Sequence, residues 1–178
     1  MTPRIWAVLG DKTGDNAQVS AISERLPWPV EVRRLAFKPR FRKGKPLFNA
    51  SLRHVDRAAS AVLEAPWPDL VITIGRRPAM AALWIRRQSG GRTRVVIIGR
   101  PKRRLDEFDL VIASAQYRLP DAPNVQRIGL PLMRMDPSRL AAARTEWAGI
   151  LDALPRPLVV LLVGGATKPY RLDADTVP

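Results

Sequence analysis

The chain has no cysteine and a single histidine, His54, in 178 residues. The first absence excludes disulfides, thiolate zinc sites and cysteine nucleophiles, and the second leaves no His-rich cluster, so no metal is expected. No apolar run reaches the ~18 residues that cross a bilayer, and the N-terminal residues enter a strand pattern directly in place of a signal peptide. A cytoplasmic location is the expectation. Acidic side chains are the scarce charge, 16 Asp plus Glu against 30 Lys plus Arg, a formal net charge of +14. Such an excess implies an anionic partner: nucleic acid, anionic lipid headgroups, or a phosphate- or pyrophosphate-bearing substrate.

What is present is an alternation of short apolar runs and amphipathic stretches, carried by a hydrophobic content of 46% that suits a folded domain. Ile5 to Leu9 reads as a buried strand that stops at Gly10. The loop from Gly10 to Gly14 leads into a helix expected to begin near Asp15, with the Asp15 carboxylate as its cap and Gln18 reaching back. Strand patterns recur at Val30–Phe37, Asp69–Ile74, Arg94–Gly99, Phe108–Ala113, Asn124–Arg127 and Leu158–Val163. Leu52, Val55, Ala59, Val62 and Leu63 fit a second helix with His54 beside its apolar stripe. Arg76-Arg77-Pro78 opens a third, with proline at the first helical position. A fourth starts at Asp136-Pro137 and is expected to bury Leu140, Trp147, Ile150, Leu151 and Leu154. The pattern predicts a doubly wound, mostly parallel Rossmann-like α/β sheet of about six or seven strands.

In such a sheet the strand exits converge along one edge, where ligands collect. Gly10, Asp11, Lys12, Gly14, Asn16 and Gln18 lie at the first exit. Gly75, Arg76 and Arg77 lie at a second, Arg100 at a third, Gln116 and Tyr117 at a fourth, and Gly164, Gly165 and Lys168 after the last apolar run. The first loop matches neither G-x-x-x-x-G-K-[ST] nor G-x-G-x-x-G, which disfavours ATP hydrolysis and NAD binding. Between Lys38 and Phe48 five of the first eight residues are basic and aromatics interleave, so Arg40, Phe41, Arg42 and Lys43 suit a membrane surface or single-stranded nucleic acid.

Taken in order, GDKTGDNAQ, PDLVITIGRRPA, IGRPKRR, FDLVIASAQYRLPDAPNV and PRPLVVLLVGGATKPYRLD resemble the family named for a plant mitochondrial fission protein, over nearly the whole chain. Bacterial members are often labelled nucleoside-diphosphate-sugar epimerases, a label this sequence does not support. The resemblance implies a GT-B glycosyltransferase-like architecture, of which residues 1–163 would form the N-terminal, acceptor-side domain. Residues 164–178 would be a linker or tail toward a second domain that holds the nucleotide-sugar donor. No cofactor is implied. The implied partner is an anionic or lipid-linked sugar acceptor at the inner membrane surface. Many relatives carry Gly-His where this chain has Gly14-Asp15, and a carboxylate there is a candidate general base. Two other readings stand beside the transferase: a non-catalytic, membrane-associated adaptor, and, ranked lower, a basic nucleic-acid-binding domain.

Overall fold

The computed structural model describes residues 2–42, 47–101, 104–134 and 136–161. The chain divides into two compact units, Met1–Arg134 and Met135–Pro178. In the first, β1 (Ile5–Leu9), β2 (Val30–Arg34), β5 (Leu70–Ile74), β6 (Arg94–Ile98), β7 (Leu110–Ser114) and β8 (Val125–Ile128) form one sheet in the order β2-β1-β5-β6-β7-β8. Every pairing is parallel, with Ile5 opposite both Val30 and Leu70. The expected doubly wound sheet is therefore present. Its central strands read as continuous apolar runs because both faces are covered.

Side chains alternate between the two faces with the period of the strand. Trp6, Val8, Val71, Val95, Ile97 and Val111 pack with α3 (Arg76–Gln88) through Ala79, Ala82, Leu83 and Ile85. Ile5, Ala7, Leu9, Ile72 and Ile74 pack on the other face with α1 (Thr13–Ser23) through Val19 and Ile22. Two helices on opposite faces follow from topology: the chain leaves β1 outward to β2, then crosses back to β5 and continues the other way.

Three local expectations are corrected in this unit. α1 begins at Thr13 after Lys12, with no side-chain cap, so Asp15 stands in its first turn and Gln18 in its body. Pro78 is the third residue of α3, not the first; it is tolerated because the first four N–H groups of a helix need no intrahelical acceptor. No helix forms over residues 52–63. That segment belongs to a strap in which β3 (Ala36–Phe37) pairs antiparallel with β4 (Val55–Asp56), a short helical turn, α2 (Pro39–Arg42), lying between them in sequence. The Ser60 hydroxyl donates to the Asp56 carbonyl and the Asp56 carboxylate accepts from the Ala59 amide, local bonds that compete with a helix, while the Ser60 hydroxyl oxygen accepts from the Ala36 amide across the strap.

The second unit contains α4 (Pro137–Leu151), capped by the Asp136 carboxylate, which accepts from the Ser138 and Arg139 amides. Its apolar side chains are not buried as expected: Leu140 is 62%, Trp147 50% and Ile150 60% exposed, and Leu151 and Leu154 are exposed as well. Of the expected last strand, Leu158 to Leu161 forms none and Val159 to Leu161 are exposed. A parallel strand exists only where a neighbour supplies its ladder, and none does so among the described residues. Leu162 and Val163 lie outside them.

Candidate functional site

The point where the chain reverses its direction of winding lies between β1 and β5, adjacent strands whose following helices pack on opposite faces. Their C-terminal ends flank a crevice, the usual ligand position in open α/β sheets. Two glycines shape it. A Cβ on Gly10 would sit 3.0 Å from Pro78 Cγ and 3.2 Å from Phe37 Cε2, so glycine lets the β1 exit, the start of α3 and the strap approach this closely without displacing either ring. Gly75 has φ +80°, a conformation that L side chains rarely adopt.

The loop after β1 is pinned by Asn16, whose Oδ1 accepts from the Gly10 amide at 3.2 Å while its Nδ2 donates to the Gly10 carbonyl at 3.0 Å. Beside it in the first turn of α1, Asp15 is half-buried, with Oδ2 3.4 Å from where a Gly75 Cβ would stand. Its carboxylate has no hydrogen bond or ion pair among the described residues. Such a carboxylate keeps its lone pairs open to a hydroxyl or a cation.

Arg77 ties the surroundings together. Its guanidinium contacts the Asp11 carboxylate at 3.3 Å, stacks 4.7 Å over the Phe37 ring and donates to the Phe41 carbonyl. Its own carbonyl lies 2.8 Å from His54 Nε2, and the His54 ring stacks on Phe37. His54 is 1% exposed. Burial holds its pKa below the ordinary value, the Arg77 and Lys38 charges act in the same direction, and the bond to the Arg77 carbonyl only partly opposes them. A neutral ring that donates from Nε2 fits this geometry.

The structure thus brings Gly10, Asp11, Lys12, Gly14, Asp15, Asn16, Gly75, Arg76 and Arg77 to the two strand ends of the crevice. Lys12 and Gly14 are exposed there, and Arg76 stacks 5.6 Å from the Phe48 ring. Gln18 lies farther along α1. Arg100 follows β6 on the same sheet edge, one strand beyond β5, and Gln116 and Tyr117 follow β7, with Tyr117 Cε2 against Gly99. Strand spacing puts those exits about 5 and 10 Å from β5. Gly164, Gly165 and Lys168 lie outside the described residues, as does Lys43. Sequence reasoning missed Phe37 and Pro78, which wall the crevice; the buried alternation of Leu35 and Phe37 is the signal that marks the first.

The basic segment differs from the loop expected of it. Phe48 packs against the core and Phe41 is half-buried under Arg40, whose guanidinium lies 4.8 Å from its ring. Among the described residues no helix is long and apolar enough to cross a membrane, and no group of His, Asp and Glu is placed to hold a metal ion.

Comparison with known proteins agrees with the ordered motifs. Over 151 residues the chain is 28% identical to the mitochondrial fission protein ELM1 of Arabidopsis thaliana, covering 72% of this chain and 35% of that one. It thus spans about a third of the length of that relative. No solved structure matches it. The model of the mitochondrial fission ELM1 family matches residues 13–178, nearly the whole chain, and the protein belongs to that family.

Proposed function

We propose that this chain is the acceptor-binding domain of a GT-B-like sugar transferase, taking a phosphorylated or lipid-linked acceptor at a membrane surface. The observation that carries this reading is the half-buried Asp15 carboxylate, unpartnered among the described residues and facing the β1–β5 crevice. In the proposed reaction the acceptor oxygen bonds to the anomeric carbon of the donor sugar, its proton passes to Asp15, and the nucleoside diphosphate leaves with the electron pair. The donor would be held by a second domain, so the chain by itself would bind without turning over. The N-terminal ends of α1 and α3, with Lys12 and Arg76, supply the positive field for the acceptor phosphate.

Thermal unfolding of the full chain with a hexose phosphate, a short-chain prenyl phosphate and UDP-, GDP- or CMP-sugars tests the proposal. A ligand at a hundredfold excess over its Kd stabilises the native state by about 2.7 kcal/mol, a readily measured rise. Acceptor phosphates are expected to raise the midpoint, and Asp15→Asn is expected to keep phosphate binding, because the base is needed only for transfer. The second reading, a non-catalytic adaptor, is favoured by the name of the Arabidopsis relative, which points to organelle fission. Indifference to every phosphate and nucleotide sugar would favour it.

A further inference from the structure

Positive charge is not spread evenly over the first unit. Outside the strap, Arg4, Arg33, Arg86, Arg87, Arg94, Arg104, Arg127 and Arg134 each face a carboxylate, while Lys12, Arg25, Arg92, Arg100 and Arg118 form no ion pair among the described residues but are scattered along the sequence among acids. Around the strap the unpaired cations are concentrated in one segment: Arg34, Lys38, Arg40, Arg53 and Arg57 form no ion pair among the described residues. From 34 to 60 the sequence holds one acid, Asp56, and its carboxylate is turned to the Ala59 amide.

Backbone pairing gathers these cations. The β3–β4 register sets Ala36 opposite Asp56 and Phe37 opposite Val55, and the Lys38 amide donates to the His54 carbonyl, so Lys38 pairs with the residue that follows Arg53. At the other end the Ala61 amide donates to the Arg34 carbonyl, so the stretch that carries Arg34, Lys38, Arg53 and Arg57 is closed at both ends. Two apolar side chains accompany them, Leu47 at 80% and Val62 at 59% exposure. The aromatic rings of the segment are turned inward, Phe37 fully and Phe48 partly buried. Cations with exposed aliphatic chains suit a lipid headgroup layer; single-stranded nucleic acid needs exposed rings on which bases stack.

We propose that the paired strap, through Arg34, Lys38, Arg53 and Arg57, with Leu47 and Val62 entering the interface, is the docking surface for an anionic phospholipid membrane. The proposal rests on the reading that this protein works at a membrane surface, and it moves the contact from residues 40–43 of the sequence to the paired strands of the strap. Arg77 contacts both Phe37 of the strap and Asp11 of the crevice loop, so a docked strap would hold the crevice close to the headgroups.

The test is sedimentation of the full chain with vesicles of phosphatidylcholine alone and of phosphatidylcholine with phosphatidylglycerol. Wild type is expected to bind only the anionic vesicles. Each basic residue near such a surface strengthens binding about fivefold, so the triple change Arg34→Gln, Arg53→Gln, Arg57→Gln should weaken it about a hundredfold. Circular dichroism checks that the fold is kept, and single Arg53→Gln and Arg57→Gln changes, each expected to cost about fivefold, replace the triple variant if it is not. Full binding by the neutralised strap, with loss only on Arg40→Ala, Arg42→Ala, Lys43→Ala, would overturn the strap as the surface and leave the membrane reading intact. No binding of wild type to anionic vesicles would remove the membrane reading and this proposal together. Tighter binding to a single-stranded oligonucleotide than to vesicles would assign the patch to nucleic acid.

Discussion

At Gly10 a single carbon atom decides whether three elements can meet. Gly10→Ala would put its Cβ 3.0 Å from Pro78 Cγ and 3.2 Å from Phe37 Cε2, so both rings must give way, and we expect a loss of about 1–3 kcal/mol, read as a lower denaturant midpoint. Gly14 is the matched control: a Cβ there meets nothing within 4 Å, and the same change should be neutral or stabilise α1 by up to about 1 kcal/mol. His54 sets a pH dependence. Its folded pKa lies below 6.5, so as pH falls below that value the unfolded chain takes up a proton that the native state refuses. Stability is therefore full above about pH 6.5 and declines toward the lowered pKa, and His54→Gln should flatten the slope between pH 7 and 5 in urea titrations while lowering stability overall. The glycine turn was legible because an apolar run that stops at glycine has few other structures open to it. The setting of His54 was not, because it depends on Phe37 and Arg77, partners that come from other elements.

Among the elements, β6 is anchored by a side chain from the start of β7. One oxygen of Asp109 accepts from Arg94 at 2.7 Å; the other accepts from the Val95 amide at 2.8 Å and lies 3.2 Å from Arg86. Burial alone would raise the Asp109 carboxyl, but the Arg94 and Val95 hydrogen bonds with the Arg86 and Arg94 charges outweigh it and hold its pKa below 3.8. Asp109→Ala leaves the amide of buried Val95 and the half-buried Arg86 without that partner, and should cost about 2–3 kcal/mol in urea unfolding. Asp109→Asn should recover little of it, because the carboxamide carries no charge to oppose Arg86 and Arg94. The buried strands were readable as elements since each is a short apolar run closed by glycine or polar residues. The strap was not. Leu52, Val55, Ala59 and Val62 satisfy a helical period, yet adjacent His54 and Val55 are both buried, a pattern set by Phe37 and β3 across the strap. For α4 the helix was legible from its Asp-Pro start, whereas what its apolar face packs against is not encoded in the helix itself.

Across the whole molecule, 30 basic side chains against 16 acidic ones make repulsion a standing term, and salt acts on it and on the ion pairs in opposite directions. Most of the ion pairs join exposed groups, such as Arg127 with Asp121 and Arg134 with Glu24, and pairs of that kind contribute about 0–1 kcal/mol each. Those around Asp109 are more sheltered and lose less to screening. The strap cations have no such compensation, so their mutual repulsion is the part most exposed to counterions. Raising the salt from about 10 mM to about 300 mM shortens the Debye length from about 30 Å to several ångströms and removes the long-range repulsion first. The melting temperature should therefore rise, by on the order of 1 kcal/mol or roughly 3 °C for a chain of this size. Neutralising Arg34, Arg53 and Arg57 should take away part of that rise, because the variant begins with less repulsion to screen. A melting temperature that falls with salt in both proteins would mean that the ion pairs, and not the uncompensated strap, govern the electrostatics of this fold.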